Sequence, residues 1–279
     1  MFSPNCVVVV PSPEISIKSA PVRGFMLKKL HKVMELCLKH VGVVADSWVT
    51  LASRVIITTN SPQVVLDSLR NCFGINSLAL AQEVKFSSLE NLLGSGVDFS
   101  KGVISSGTFA IRGKSFVREF SSKELEIALG SALIDAVPSL KVNLSSPERE
   151  LFCIVHKEKA FFYFEQVAGA MGMPLGSQGK AGFFISEGAQ EKEVLSVAKN
   201  ILKVGCSLVL VSQKPLNFSF VELESFNGFR SFNWISLSVA MESFLSGKIS
   251  AFFSSASTFN EAKNDSKVLG VKVFAPLLF

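Results

Sequence analysis

Histidine is scarce in this sequence, and the three present, His31, His40 and His156, stand far apart. They form no base or ligand set. The five cysteines, Cys6, Cys37, Cys72, Cys153 and Cys206, include no CxxC pair. That argues against a zinc or dithiol redox site and for free thiols in a reducing compartment. No metal site is expected. Long uncharged apolar runs are missing too: the most apolar late stretch, 233–257, contains Glu242 and Lys248 and falls short of a membrane span. Val7–Val10 is only four residues long with no basic flank before it, which suits a strand and not a signal peptide. A cytoplasmic, soluble chain without membrane partners is the expectation. Tyrosine occurs once against 25 phenylalanines, a bias with no physical account.

What is present is an ordinary folded composition, 279 residues with 48% hydrophobic and 18% charged, enough for two or three small domains. The 28 basic and 23 acidic residues leave +5, too mild by itself to imply nucleic acid. The surplus is uneven. Residues 1–70 hold eight Lys/Arg against four Asp/Glu, 71–167 hold ten against eleven, and 168–279 ten against eight. Positive charge therefore gathers at the N-terminus, as on a binding face.

Along the chain, 6–10 reads as a buried strand followed by a loop, PSPEISIKS. A helix over 21–39 carries Met26, Leu30, Val33 and Cys37 at helical spacing and lysines on the opposite face. A hairpin is expected around Asp46-Ser47, joining 43–44 to 54–58. Ser61-Pro62 starts a helix that should stop near Gly74, before a strand over 78–84. That β-α-β-β-α-β order is ferredoxin-like. Ser87-x-x-Glu90 reads as a capping box on a short helix to about Leu93, and Ser121-x-x-Glu124 as another on a longer helix ended by Pro138. Strands are expected over 108–112, 141–144, 151–156 and 160–164, with a basic loop over 113–118. After a Gly-rich stretch, GAMGMPLGSQGKAGFFISEG, strands at 183–185, 207–211, 218–223 and 268–274 alternate with helices at 190–203 and 233–245. Such alternation implies a parallel sheet flanked by helices, short for a complete doubly wound domain.

Three stretches are similar to one family, in order over about residues 7–211: PSPEISIKSAPVRGFMLKKL, FAIRGKSFVREFSSKELEIALGSAL and VAGAMGMPLGSQGKAGFFISEG. They resemble the tRNA 4-thiouridine synthases (tRNA sulfurtransferases). The resemblance implies an α/β chain with an α+β N-terminal half. Its parts would be a ferredoxin-like domain (1–80), an RNA-binding THUMP domain (81–167), and a linker with a shortened Rossmann-like pyrophosphatase-loop domain (168–279). In that family the first two domains bind the tRNA acceptor end. The third uses a Ser-Gly-Gly-x-Asp-Ser loop to hold ATP and adenylate uridine 8, before a late persulfide cysteine delivers sulfur.

Two basic clusters are candidate RNA contacts. Lys18, Arg23, Lys28, Lys29 and Lys32 lie on a loop and one helix face, where cations meet successive phosphates; a merely solvated helix face is the alternative. Arg112, Lys114, Arg118 and Lys123 flank the turn before a capped helix, whose first-turn amides would add anion affinity. The nucleotide loop of the family falls on Ser186, Glu187, Gly188, Ala189, Gln190 and Glu191. Ser186 and Gly188 match. Glu187 replaces a glycine, Gln190 the acid and Glu191 the second hydroxyl, so carboxylates stand where a phosphate needs donors. GSQGKAG fails as a Walker A loop, with Pro174 at the first glycine position and Ala181 where Ser or Thr is required. No cysteine follows Cys206 in this sequence.

The expectation is a tRNA-binding protein of the thiolation pathway with no catalytic residues and no cofactor of its own. Two alternatives stay open. One is a sulfurtransferase that uses ATP and Mg through its altered loop or is completed by a catalytic subunit. The other is a THUMP adaptor presenting tRNA to another modifying enzyme. Homodimerisation is undecided.

Overall fold

The computed structural model describes residues 3–51, 54–214, 219–256 and 259–274. The first half opens with strand β1 (Cys6–Pro11), a four-residue turn of helix α1 (Pro13–Ser16) and helix α2 (Ala20–His40). Strands β2 (Ser47–Leu51) and β3 (Arg54–Thr58), helix α3 (Pro62–Leu69) and strand β4 (Ile75–Lys85) complete the ferredoxin-like order. Helix α4 (Leu89–Lys101), strand β5 (Gly107–Ser115), helix α5 (Ser122–Ala136), and strands β6 (Leu140–Val142), β7 (Arg149–His156), β8 (Lys159–Tyr163) and β9 (Val167–Ala168) follow. Their sheet runs β2-β3-β1-β4-β8-β7-β5-β6, with β9 beside β4. β5 is parallel to both β6 and β7, whereas β7 and β8 form an antiparallel hairpin.

From Lys180, inside the glycine-rich stretch, the chain alternates strictly: β10 (Lys180–Phe184), α6 (Glu191–Lys203), β11 (Ser207–Ser212), α7 (Val221–Glu224) with a 3-10 turn Ser225–Asn227, β12 (Asn233–Ser236), α8 (Leu237–Leu245), β13 (Ala251–Ser254), α9 (Phe259–Leu269) and β14 (Val273–Phe274). The five strands are all parallel, in the order β12-β11-β10-β13-β14. This is the doubly wound arrangement, with its direction of winding reversing between β10 and β13. Gly182 sits at the centre because a side chain there would press to 2.5 Å from the ring of Phe252 on β13.

Several sequence expectations move. The hairpin is β2 to β3, so Ser47 begins a strand instead of lying in the turn. Helix α3 ends at Leu69, well short of Gly74. The cap of α4 is Ser88, whose hydroxyl accepts from the Asn91 amide, and the helix continues to Lys101 because Val97 and Phe99 still bury against the core. Residues 113–115 belong to β5, held by the parallel register Gly113↔Cys153 to Ser115↔Val155. Residues 233–236 are strand, since pairing with β11 (Val209↔Asn233 to Ser212↔Ser236) wins over the apolar helical run. The expected strand at 218–223 falls partly outside the described residues, and its later part is α7; that at 268–274 shrinks to β14 because α9 extends to Leu269.

Contacts group the chain in two compact units. One comprises Met1–Val9, Val44–Asp67 and Ser77–Val167; the other Val10–Val43, Ser68–Asn76 and Ala168–Phe279. The two units interleave along the chain. The first unit has a core of Leu92, Phe109, Leu125, Leu129, Leu133, Leu151 and Phe162 between α4, α5 and the sheet. In the second, α2 buries Met26, Leu30, Val33, Met34, Cys37 and Leu38. Its neighbours there include the stretch 226–229, where His40 stacks on Phe229 at 4.3 Å. Ser12 is fully buried and ties the N-terminal loop to the glycine-rich stretch by donating to the Gly172 carbonyl at 2.6 Å.

Candidate functional site

The basic turn of the first unit is built by β5 running into α5. Ser115 fastens it: its hydroxyl donates to the Phe120 carbonyl at 2.7 Å and its amide to the Ser122 hydroxyl at 2.9 Å. Lys114, Arg118 and Lys123 are exposed around this turn. Arg112 differs. Its Nε and Nη2 reach Glu150 Oε1 at 2.8 and 2.7 Å, and Nη2 also donates to the Leu144 carbonyl at 3.0 Å. The α5 cap is the reciprocal box expected, with the Glu124 amide on Ser121 Oγ at 3.2 Å and the Ser121 amide on Glu124 Oε2 at 2.7 Å. The hydrogen bond that the carboxylate accepts from the Ser121 amide, seconded by the Ser121 side chain, lowers the Glu124 pKa below its ordinary value. The first-turn amides are thus partly spoken for, and the lysine and arginine heads are the available anion donors. Beside them lies a groove of about 450 Å³, with Ile127, Ile134, Val142 and Leu144 among its walls and Arg112 and Lys123 at its rim. Sequence reasoning missed it, because Ile127 and Ile134 lie off the buried stripe of α5, while Val142 ends β6, the last strand of its sheet, and Leu144 lies just beyond it.

The N-terminal cluster belongs to the other unit. Lys18, Lys28 and Lys32 are exposed, Arg23 reaches the Ser16 carbonyl at a long 3.5 Å, and Lys29 lies 5.5 Å from the Phe25 ring centroid.

The Ser186 turn occupies the carboxyl end of β10, at the reversal of winding where doubly wound sheets bind ligands. Gly188 adopts φ +85°, so glycine is required there. Ser186 is tied inward: its hydroxyl donates to Asp265 Oδ2 at 2.8 Å, and its amide donates to Ser255 Oγ at 3.0 Å. Asp265, 3% exposed, also accepts from the Ser254 hydroxyl. Glu187 pairs with Lys214 Nζ at 2.5 Å, Glu191 accepts from the Ser219 amide at 3.3 Å, and Gln190 is the N-cap of α6 without a side-chain bond to it. Among the described residues no three His, Cys, Asp or Glu side chains converge as metal ligands.

These residues fit ATP poorly. A triphosphate needs hydroxyl and amide donors; here the serine donors are engaged with the protein, and two carboxylates flank the helix start. Nor are the thiols poised for sulfur chemistry. All five cysteines are buried. Burial, with Glu83 nearby, pushes Cys6 up to about 12; burial raises Cys153 and Cys206; a hydrogen bond with Cys37, reinforced by burial, raises Cys72. A raised thiol holds little of the nucleophilic thiolate near neutrality.

The fold and this pair of sites define a class, a THUMP protein with a doubly wound α/β domain, and the THUMP domain family matches residues 94–165. A probable tRNA sulfurtransferase of Methanosarcina mazei is 32% identical over 188 residues, 65% of this chain and 46% of the relative. One from Methanobrevibacter smithii is 29% identical over 73% of this chain and 52% of its own length. The chain therefore spans about half the length of the curated relatives it matches. Among solved structures, PH1313 from Pyrococcus horikoshii superposes with TM-score 0.77 at 22% identity, over 98% of this chain and 94% of its own. A 4-thiouridine synthetase–RNA complex with bound ATP gives 0.72 at 18% identity, over 98% and 81%. The chain is thus similar to tRNA sulfurtransferases over about two thirds of its length, and its THUMP stretch lies within that similarity.

Proposed function

We propose that the chain binds the acceptor end of tRNA and serves in the thiolation of uridine 8 as the RNA-holding component, without ATP or sulfur chemistry of its own. The THUMP match and the exposed cations Lys114, Arg118 and Lys123 support the RNA half of this reading. One observation carries the other half: the Ser186 hydroxyl and amide are bonded to Asp265 and Ser255 instead of facing outward. Glu191 adds negative charge where a polyanion would dock, and such like-charge juxtaposition costs several kcal/mol; Glu187 engages the one cation beside it among the described residues of the turn, Lys214. A catalytic subunit is the partner this reading calls for.

The test is thermal unfolding with and without millimolar Mg-ATP. A ligand at a hundred times its dissociation constant adds about 2.7 kcal/mol and raises the midpoint visibly; no shift is expected. Glu187→Gly, Gln190→Asp and Glu191→Ser together should gain some nucleotide affinity. Stabilisation of the unaltered chain by ATP, or tRNA thiolation by it alone, would overturn the reading. The intact five-stranded parallel sheet, with its loop at the reversal of winding, favours one rival, a sulfurtransferase completed by a partner subunit. ATP affinity that arises only on adding that subunit would single it out.

A further inference from the structure

The second unit holds a pocket that neither basic cluster includes. It has a volume of about 360 Å³ and is lined by Arg70, Lys199 and Lys203, with Asn71, Asn200 and Phe226 among its other walls. Three cations and no carboxylate line it. Among the described residues none of the three has a salt-bridge partner, and all are exposed. Their placement is built. Lys199 Nζ stands 4.2 Å from the Phe226 ring centroid, and Phe226 rests on buried Phe73 at 5.3 Å. Lys203 follows one turn later on the same face of α6. Gly169, which also lines the pocket, must be bare, because a Cβ there would come within 2.4 Å of the Ile75 carbonyl oxygen.

Cations at helix C-termini ordinarily answer the helix dipole, and Arg70 and Lys203 both stand at such ends. Here the terminal carbonyls already have amide partners: Leu69 O accepts from Cys72, Leu202 O from Gly205 and Lys203 O from Met173, each at 2.9 Å. The positive charge is left over. It also continues beyond the pocket, since a neighbouring groove shares Lys199 and Phe226 and adds Lys192. From Lys192 to Lys203 the helix rises about 16 Å, at ~1.5 Å per residue. That length suits a run of phosphates better than one small anion, although Glu191 and Glu222 also line the neighbouring groove.

We propose that Arg70, Lys199 and Lys203, extended by Lys192, form a phosphate-backbone track for the bound RNA, separate from the THUMP turn. The proposal rests on the tRNA-binding reading above. The experiment measures tRNA affinity of the full chain across a salt series, for the unaltered protein, for Arg70→Gln/Lys199→Gln/Lys203→Gln together, and for Lys114→Glu. Each neutralised phosphate contributes ~0.7–0.9 to the log–log slope, so the triple variant should lose about two from the slope and about tenfold or more in affinity at low salt. On the unaltered chain, bound tRNA should protect Lys199 and Lys203 from amine acylation, a readout that holds even if the variant folds poorly. Tight binding by the unaltered chain, with the triple variant equal to it and no protection, would overturn the track and leave the RNA reading standing. An unaltered chain that binds no tRNA overturns both. Stabilisation of the unaltered chain by inorganic phosphate, lost in the triple variant while tRNA affinity stays the same, makes this a small-anion pocket and overturns the RNA assignment.

Discussion

Arg112 and Lys114 look equivalent in the sequence, two cations of one basic stretch, yet their surroundings separate them. Lys114 is exposed, while Arg112 is bonded to Glu150 and to the Leu144 carbonyl. Lys114→Glu should therefore weaken tRNA binding at an unchanged unfolding midpoint, measured by a gel-shift titration beside a melting curve. Arg112→Gln should lower both, although by no more than about 1 kcal/mol in stability, because the pair is half exposed and screened by solvent. The buried thiols give a pH prediction. Cys6 ionises near its ordinary value of 9.0 in the unfolded chain and only at about 12 in the fold. Between those values the unfolded state has released a proton that the native state keeps, so stability is whole below pH 9 and falls as pH rises, by ~1.4 kcal/mol per unit for such a thiol. Replacing Cys6 by Val should make the alkaline decline of the melting temperature shallower. An identical decline in both proteins would show that this thiol does not set it.

At the scale of elements, helix starts are a sharp case because two adjacent serines compete for one of them. Ser88 Oγ receives the Asn91 amide at 3.1 Å, whereas Ser87 contributes its own amide to Asn91 Oδ1 at 3.3 Å. Ser88→Ala should destabilise the protein by about 1 kcal/mol, the usual worth of an N-cap, and Ser87→Ala hardly at all; paired denaturant titrations decide it. The α5 box was readable in the sequence because Ser121 and Glu124 are only three residues apart, and the bonds that make it are local. The misread elements share a different cause. At 233–236, apolar periodicity suggested helix, but the neighbour that decides the matter is β11, more than twenty residues earlier.

For the whole molecule, the division into units bears on how the chain is handled. Helix α2 groups with 168–279, and its Val33 and Leu36 lie alongside Gly228. A fragment ending at 167 would bare part of the apolar face of α2. It should melt lower than the full chain and bind a hydrophobic dye that the full chain does not; equal melting of the two would refute this. RNA-binding measurements accordingly belong on the full chain.

Local sequence already carried the resemblance to the tRNA sulfurtransferases, the ferredoxin-like order, the amphipathic stripe of α2, the α5 cap, and the carboxylates in the Ser186 turn. Each of these is written in residues a few positions apart, through helical spacing, caps and short motifs. Long-range packing settled the rest. It drew Arg112 to Glu150, 38 residues away, and Ser186 to Asp265, 79 residues away. It also brought Arg70, at the end of α3, to the face of α6 that bears Lys199 and Lys203. The physical reason is that a cation or hydroxyl carries no mark of its partner in its own neighbourhood. Whether it is spent inside the protein or left for a ligand depends on which distant strand or helix the fold packs against it.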